Sequence, residues 1–194
     1  MHRSPLSRLA AILFTLAIMI PAESRSEMRT FPAGSLIVPM DLTYQDQGMF
    51  QAYGLLFQWL RQGITVYWVI DTNKQWHPAP CNDPADPCPW DCEEEGSGVK
   101  CPYPTASPDF YAPAEVVWDD TGTREAGARI AMHGYRGGPF VVDASEADAA
   151  LEIAGIWNDP SQWASFPWAQ RSVFSVVSIH RAVEAFDGNV RKVM

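Results

Sequence analysis

S-L-I-V-P-M-D (35–41) and A-Y-G-L-L-F-Q-W-L-R-Q-G-I-T-V-Y-W-V-I-D (52–71) are the stretches on which the fold turns. The first is a short apolar run that ends in Asp41, with Pro39 near its end, where a lost ladder donor is tolerable. It reads as a strand. Between 49 and 62, Met49, Ala52, Tyr53, Leu56, Trp59 and Leu60 recur at helical spacing. Phe50, Leu55 and Phe57 widen that apolar face, so the helix is expected to be buried on more than one side. Gly63 follows, in the position where a left-handed residue closes a helix. Residues 64–70 are then rich in β-branched and aromatic side chains and end in Asp71. A continuous run of this kind suits a central parallel strand covered on both faces. Strand, helix and strand together predict a right-handed βαβ crossover.

Working outward, residues 115–118 read as a short strand stopped by Asp119 and Asp120. Residues 129–132 lead into the glycine-rich loop H-G-Y-R-G-G-P (133–139), and F-V-V (140–142) is another strand. Asp143 and Glu146 have the D-x-x-E spacing of a capping box for a helix over 144–157. V-F-S-V-V-S-I (173–179) is the last strand, ending in His180, with no helix expected beyond it. The predicted fold is α/β, a partial flavodoxin-like parallel sheet with flanking helices. Strands 35–40, 64–70 and 173–179 are its parallel neighbours.

The chain has 194 residues, 47% hydrophobic, with eight Trp, which fits one domain with a large core and excludes a disordered chain. Its formal charge of −9 and the lack of any basic run exclude a nucleic-acid binder working by phosphate neutralisation. Residues 1–24 carry Arg3 and Arg8, an apolar run over 9–20, then Pro21 and small residues, the pattern of a secretory signal. The apolar run is shorter than the roughly 20 residues a bilayer needs. The expectation is a secreted or periplasmic protein with no membrane span after signal cleavage. Residues 25–34 form an N-terminal segment and 35–194 a single domain.

All four cysteines, Cys81, Cys88, Cys92 and Cys101, fall in a stretch (72–115) that also holds nine of the sixteen prolines. Little regular structure is expected there. An even, clustered count in an exported chain predicts two disulfides that staple the insertion, in any of three pairings. Zinc is the alternative, but the usual C-x2-C pairs are missing. Calcium on Asp83, Asp86, Asp91 and the Glu93–Glu95 run lacks an EF-hand pattern.

In an open parallel sheet, ligands bind beyond the carboxyl ends of the strands. Asp41, Asp71 and His180 each end a predicted strand, and His133 follows another, with Arg136, Gly137 and Gly138 just after it. These groups are expected to share one edge and to orient a small polar ligand. Singly, each has a plainer role as a turn former, a helix cap or a hydrogen-bonded structural residue. The glycine loop is neither a P-loop nor G-x-G-x-x-G, and no G-x-S-x-G elbow exists. Two imidazoles and two carboxylates are chemically suitable for one divalent metal, yet no spacing supports that. The expectation is no metal and no cofactor.

Three segments, V-P-M-D-L-T-Y-Q-D (38–46), the 52–71 stretch and H-G-Y-R-G-G-P-F-V-V-D (133–143), resemble a group of exported bacterial proteins, as does the Cys-rich stretch 76–104. The N-terminal region of that group is similar to the class I glutamine amidotransferase-like superfamily, which has a flavodoxin-like parallel sheet. Active members carry a nucleophilic Cys on a strand-to-helix elbow. That elbow is missing here, so amidotransferase chemistry is not implied. The resemblance also implies a longer relative, of which this chain is a short form. Three functional expectations follow: a non-catalytic binding or surface-associated module, a hydrolase or carbohydrate-active relative using His133 or His180 as acid or base, and a truncated product without independent function.

Overall fold

Eight strands of the computed structural model join in one sheet, and every neighbouring pair in it is antiparallel. The structure describes residues 27–74, 76–77, 105–165 and 176–194. The elements are β1 (Glu27–Phe31), β2 (Leu36–Val38), α1 (Gly48–Arg61), β3 (Tyr67–Val69), β4 (Trp76–His77), β5 (Thr105–Ala106), β6 (Phe110–Trp118), β7 (Arg129–Tyr135), β8 (Phe140–Val142), α2 (Ala147–Asn158), β9 (Ile179–Ala182) and β10 (Phe186–Val193). The sheet order is β1-β10-β3-β8-β2-β9-β6-β7, and β4 pairs with β5 separately.

The parallel flavodoxin-like sheet is therefore corrected. Strand, helix and strand do follow one another at β2, α1 and β3. But β8 lies between the two strands, antiparallel to each. β2 and β3 thus run in the same direction without touching, and the expected parallel ladder is replaced by two antiparallel ones. β9 is antiparallel to β2, with Ile37 opposite His180. It begins at Ile179 rather than ending there. Strong apolar runs locate strands but carry no information on direction. Two strands of this sheet were unforeseen in the sequence, β1 and β10: β10 fills the place beside β3 and β1 forms the sheet edge.

Alternation sorts the side chains onto two faces. Leu36, Val38, Val142 and Ile179 point to the side covered by α1 and α2. Ile37, Val69, Phe110, Tyr135, Val141, Phe186 and Val190 point to the other, which is concave. The sheet curls so far that β10 meets β6 across this face, with the Phe110 and Phe186 rings stacked at 4.6 Å. Gly188 permits the curl at β10, because a Cβ there would stand 2.7 Å from the Val69 side chain.

The helix read over 49–62 is α1, ended by Gly63 at φ +81°. Its N-terminus is capped from a distance: Asp120 accepts hydrogen bonds from the Asp46 and Gly48 amides, both at 2.7 Å. Ala52, Leu55, Leu56 and Trp59 face the core, whereas Phe50 and Phe57, expected to be buried, are exposed. α2 packs beside it through Ala150 and Ala154. These side chains are small enough for Trp59 Nε1–H to reach the Ala150 carbonyl at 2.9 Å. Asp143 caps the 3-10 turn before α2 as expected. Glu146 departs from the capping box and accepts from the Thr65 amide instead.

β6 starts at Phe110, so the insertion is shorter than 72–115, and the β4–β5 pair stands at its neck. Within the described residues of the insertion, the regular structure before β6 is the two-residue pair β4 and β5, in keeping with the little expected there. Cys81, Cys88, Cys92 and Cys101 lie outside the described residues, as do the signal-like residues 1–24 and positions 173–175 of the last predicted strand. Among the described residues, no helix is long and apolar enough to cross a membrane.

Candidate functional site

β2 and β3 run in the same direction, so Asp41 and Asp71 leave the sheet at the same edge. β8 runs the opposite way, so the turn that precedes it, Arg136 to Pro139, lies there too. Antiparallel pairing thus brings these groups to one rim for a reason different from the βαβ rule. What they do at the rim divides into two clusters.

The first is built on Asp41. Its carboxylate accepts from His133 Nε2 at 3.2 Å, the Thr43 amide at 3.1 Å and the Arg136 amide at 3.4 Å. Burial by itself would push this carboxyl up. The hydrogen bonds from His133, Arg136 and Thr43 outweigh it and hold the group below the ordinary carboxylate value. His133 is an interior position of β7, not a loop residue, and its side chain is 2% exposed. Two residues on, and so on the same face, Tyr135 presents its hydroxyl to His180 Nδ1 at 2.8 Å. His180 is fully buried, and its Nε2 has no hydrogen-bond partner. The Tyr44 ring stands perpendicular to both imidazoles, 4.4 Å from His180 and 4.7 Å from His133, and the Arg124 guanidinium lies 4.3 Å from its centroid. Burial, with repulsion from His133 adding to it, lowers His180 to about 3, so the ring is neutral at ordinary pH.

The second cluster is built on Asp109, whose side chain is completely enclosed. It accepts from the Asp71 amide, the Gly138 amide and Lys74 Nζ, each at 2.9 Å. The Asp71 carboxylate is spent on its own turn, accepting from the Asn73 amide. Gly137 and Gly138 have φ of +78° and +73°. A Cβ on Gly137 would stand 2.2 Å from the Met40 carbonyl oxygen, and one on Gly138 2.7 Å from Trp68 Nε1. The glycines therefore let the chain approach itself closely at this turn. Arg136 turns back to the Gly134 carbonyl at 2.9 Å.

Of the sequence candidates, Asp41 and His133 touch directly. His180 joins them through the Tyr135 and Tyr44 rings, and Arg136 through its backbone. Asp71 and Gly138 meet at Asp109 instead. Tyr44, Asp109 and Tyr135 escaped the sequence reading. Tyr135 was findable, since a strand through 133 puts it on the face of His133; nothing in the local pattern singles out Asp109.

An Asp–His pair resembles the orienting half of an acid–base apparatus. Here the imidazole lies inside the core, among rings. The Ser178 hydroxyl, two residues before His180, is buried, donating to the Tyr44 carbonyl and accepting from the Asp120 amide. Among the described residues, no group of three or more His, Cys, Asp or Glu is arranged to hold a metal ion. No family model, curated protein or solved structure matches the chain.

Proposed function

We propose that the chain is a non-catalytic binding module whose polar cluster braces the fold and whose contacts are made from the outer face of α1. The observation that carries this reading is a contrast of exposure. His133 and His180, the groups best suited to acid–base chemistry, are 3% and 0% exposed, whereas Phe50 on α1 is 82% exposed. A general base must reach the proton it abstracts within about 3 Å or through one water, which an enclosed ring does not. Large apolar side chains held in solvent, by contrast, mark contact surfaces.

The test sets this reading against hydrolysis. The purified chain and its His133→Ala variant are assayed with 4-nitrophenyl acetate and 4-nitrophenyl glycosides. The expected result is no turnover above buffer for either protein. Turnover by the native chain that is lost in His133→Ala, with the circular dichroism spectrum retained, would overturn the reading in favour of a hydrolase.

A further inference from the structure

α1 is apolar almost all the way round. From Gly48 to Arg61 it carries no acidic residue, and its only charge is Arg61 at the last position. A helix of that composition belongs in an interior. Ala52, Leu55, Leu56 and Trp59 satisfy this on one side. On the other, Phe50 (82% exposed), Tyr53 (57%), Phe57 (55%) and Leu60 (37%) form a continuous row facing solvent. Their steps along the chain are three, four and three, the spacing of a coiled-coil seam.

We infer that this row is a self-association surface, on which α1 of a second copy of the chain packs antiparallel about a two-fold axis. The inference rests on the reading of α1's outer face as the contact surface. Three observations select a second copy. First, the three-four-three spacing is the same read in either direction. Laid antiparallel, it sets Phe50 against Leu60 and Tyr53 against Phe57, twice over, which is the self-complementarity an isologous interface requires. Second, the rest of the molecule is strongly acidic, at −9 overall, and α1 is a face from which acidic residues are missing. Two like-charged copies can approach there with the least repulsion. Arg61, 5.7 Å from the Phe57 ring centroid, would lie one turn from Asp46 of the other copy in this register. Third, the open area is of the right size. At these exposures the three rings leave on the order of 400 Å² uncovered on each copy. Doubled, and widened by Leu60, this approaches about 1,000 Å², the lower end for a specific interface. A reversible dimer of modest affinity is the consequence.

The test is the mass of the full chain by sedimentation equilibrium between about 1 and 100 µM. The expected result is a mass rising with concentration towards twice that of the chain. Tyr53→Glu and Phe57→Glu should each hold the mass at that of the monomer; Phe57→Glu should retain the native melting temperature, whereas the Tyr53 ring also meets Phe140 edge-on at 5.8 Å. Met132→Glu, equally exposed but on β7, should leave dimerisation unchanged. A native chain that is monomeric throughout refutes self-association, as does a dimer that survives both α1 substitutions. Co-flotation with phosphatidylcholine–phosphatidylglycerol vesicles separates the two levels of the argument. A monomer that floats, and no longer floats as Phe57→Glu, overturns the second copy as occupant while the binding reading stands. Turnover dependent on His133 overturns the binding reading whatever the mass.

Discussion

Removing the Asp109 carboxylate should be among the most damaging single changes in the chain, although the residue stands outside every motif. Asp109→Ala leaves three donors without their acceptor. The Gly138 amide is buried, and an unsatisfied buried donor costs about 1–3 kcal/mol. The Asp71 amide is part-buried and adds about 1 kcal/mol. The Lys74 side chain is 26% exposed and can turn to water, so its loss adds less than about 1 kcal/mol. Together these give about 2–5 kcal/mol, a large share of the stability of a domain of this size. Asp109→Asn should cost about half as much, because its amide oxygen keeps a backbone donor while its NH2 faces another donor. Lys74→Ala should cost under about 1 kcal/mol. Urea unfolding followed by Trp fluorescence measures all three, provided the slope with denaturant is unchanged. If Asp109→Ala lies within about 0.5 kcal/mol of the native chain, or if Lys74→Ala costs as much as Asp109→Ala, the buried-hub argument is wrong.

Gly127→Ala, at φ +85° with nothing within 4 Å of the new Cβ, should cost about 1–2 kcal/mol. Gly137→Ala, at φ +78° but 2.2 Å from the Met40 carbonyl oxygen, should cost at least about 2 kcal/mol more, and equal thermal melts would remove the close approach. His180 has a folded-state pKa lowered from 6.5 to about 3, so the unfolded chain takes up a proton that the folded chain refuses in that window. Stability should be full above about pH 6.5 and fall by about 1.4 kcal/mol per pH unit below it. Asp41, lowered from 3.8, contributes its stability above that value and loses it only at lower pH, so it adds nothing to the slope between 6.5 and 5. His180→Gln, which keeps an acceptor for Tyr135, should flatten the urea midpoint between pH 7.5 and 5, and an unchanged slope would reassign the titration.

What could be read in the sequence, and what could not, follows from the reach of each signal. α1 was legible because its periodicity and Gly63 are local. β2, β3 and β8 were legible as apolar runs for the same reason. Direction was not, because it depends on which strand fills the gap between β2 and β3, and β8 lies some seventy residues further along the chain than β3. β1 and β10 escaped because E-M-R-T-F and F-D-G-N-V-R-K-V carry charges and a glycine at positions that are exposed or crowded only once the sheet curls. The site residues were chosen by a rule for parallel sheets. Asp41 and Asp71 still reach one rim, since β2 and β3 share a direction. His133 and His180 do not sit at strand ends. They are interior positions of β7 and β9 and face the concave core, so alternation, applied through 133–135 and 179–182, would have placed them better than the loop argument did.

The enclosure of the imidazoles is tested most directly by the His180 ring itself. Its Cε1–H resonance, followed by proton–carbon correlation NMR from pH 8 to 4.5, should stay at the neutral-ring position throughout, because a ring with 0% exposure and a pKa of about 3 takes no proton in that range. A titration with a midpoint near the ordinary 6.5 would place His180 in water, and the buried brace, with the non-catalytic reading built on it, would fall.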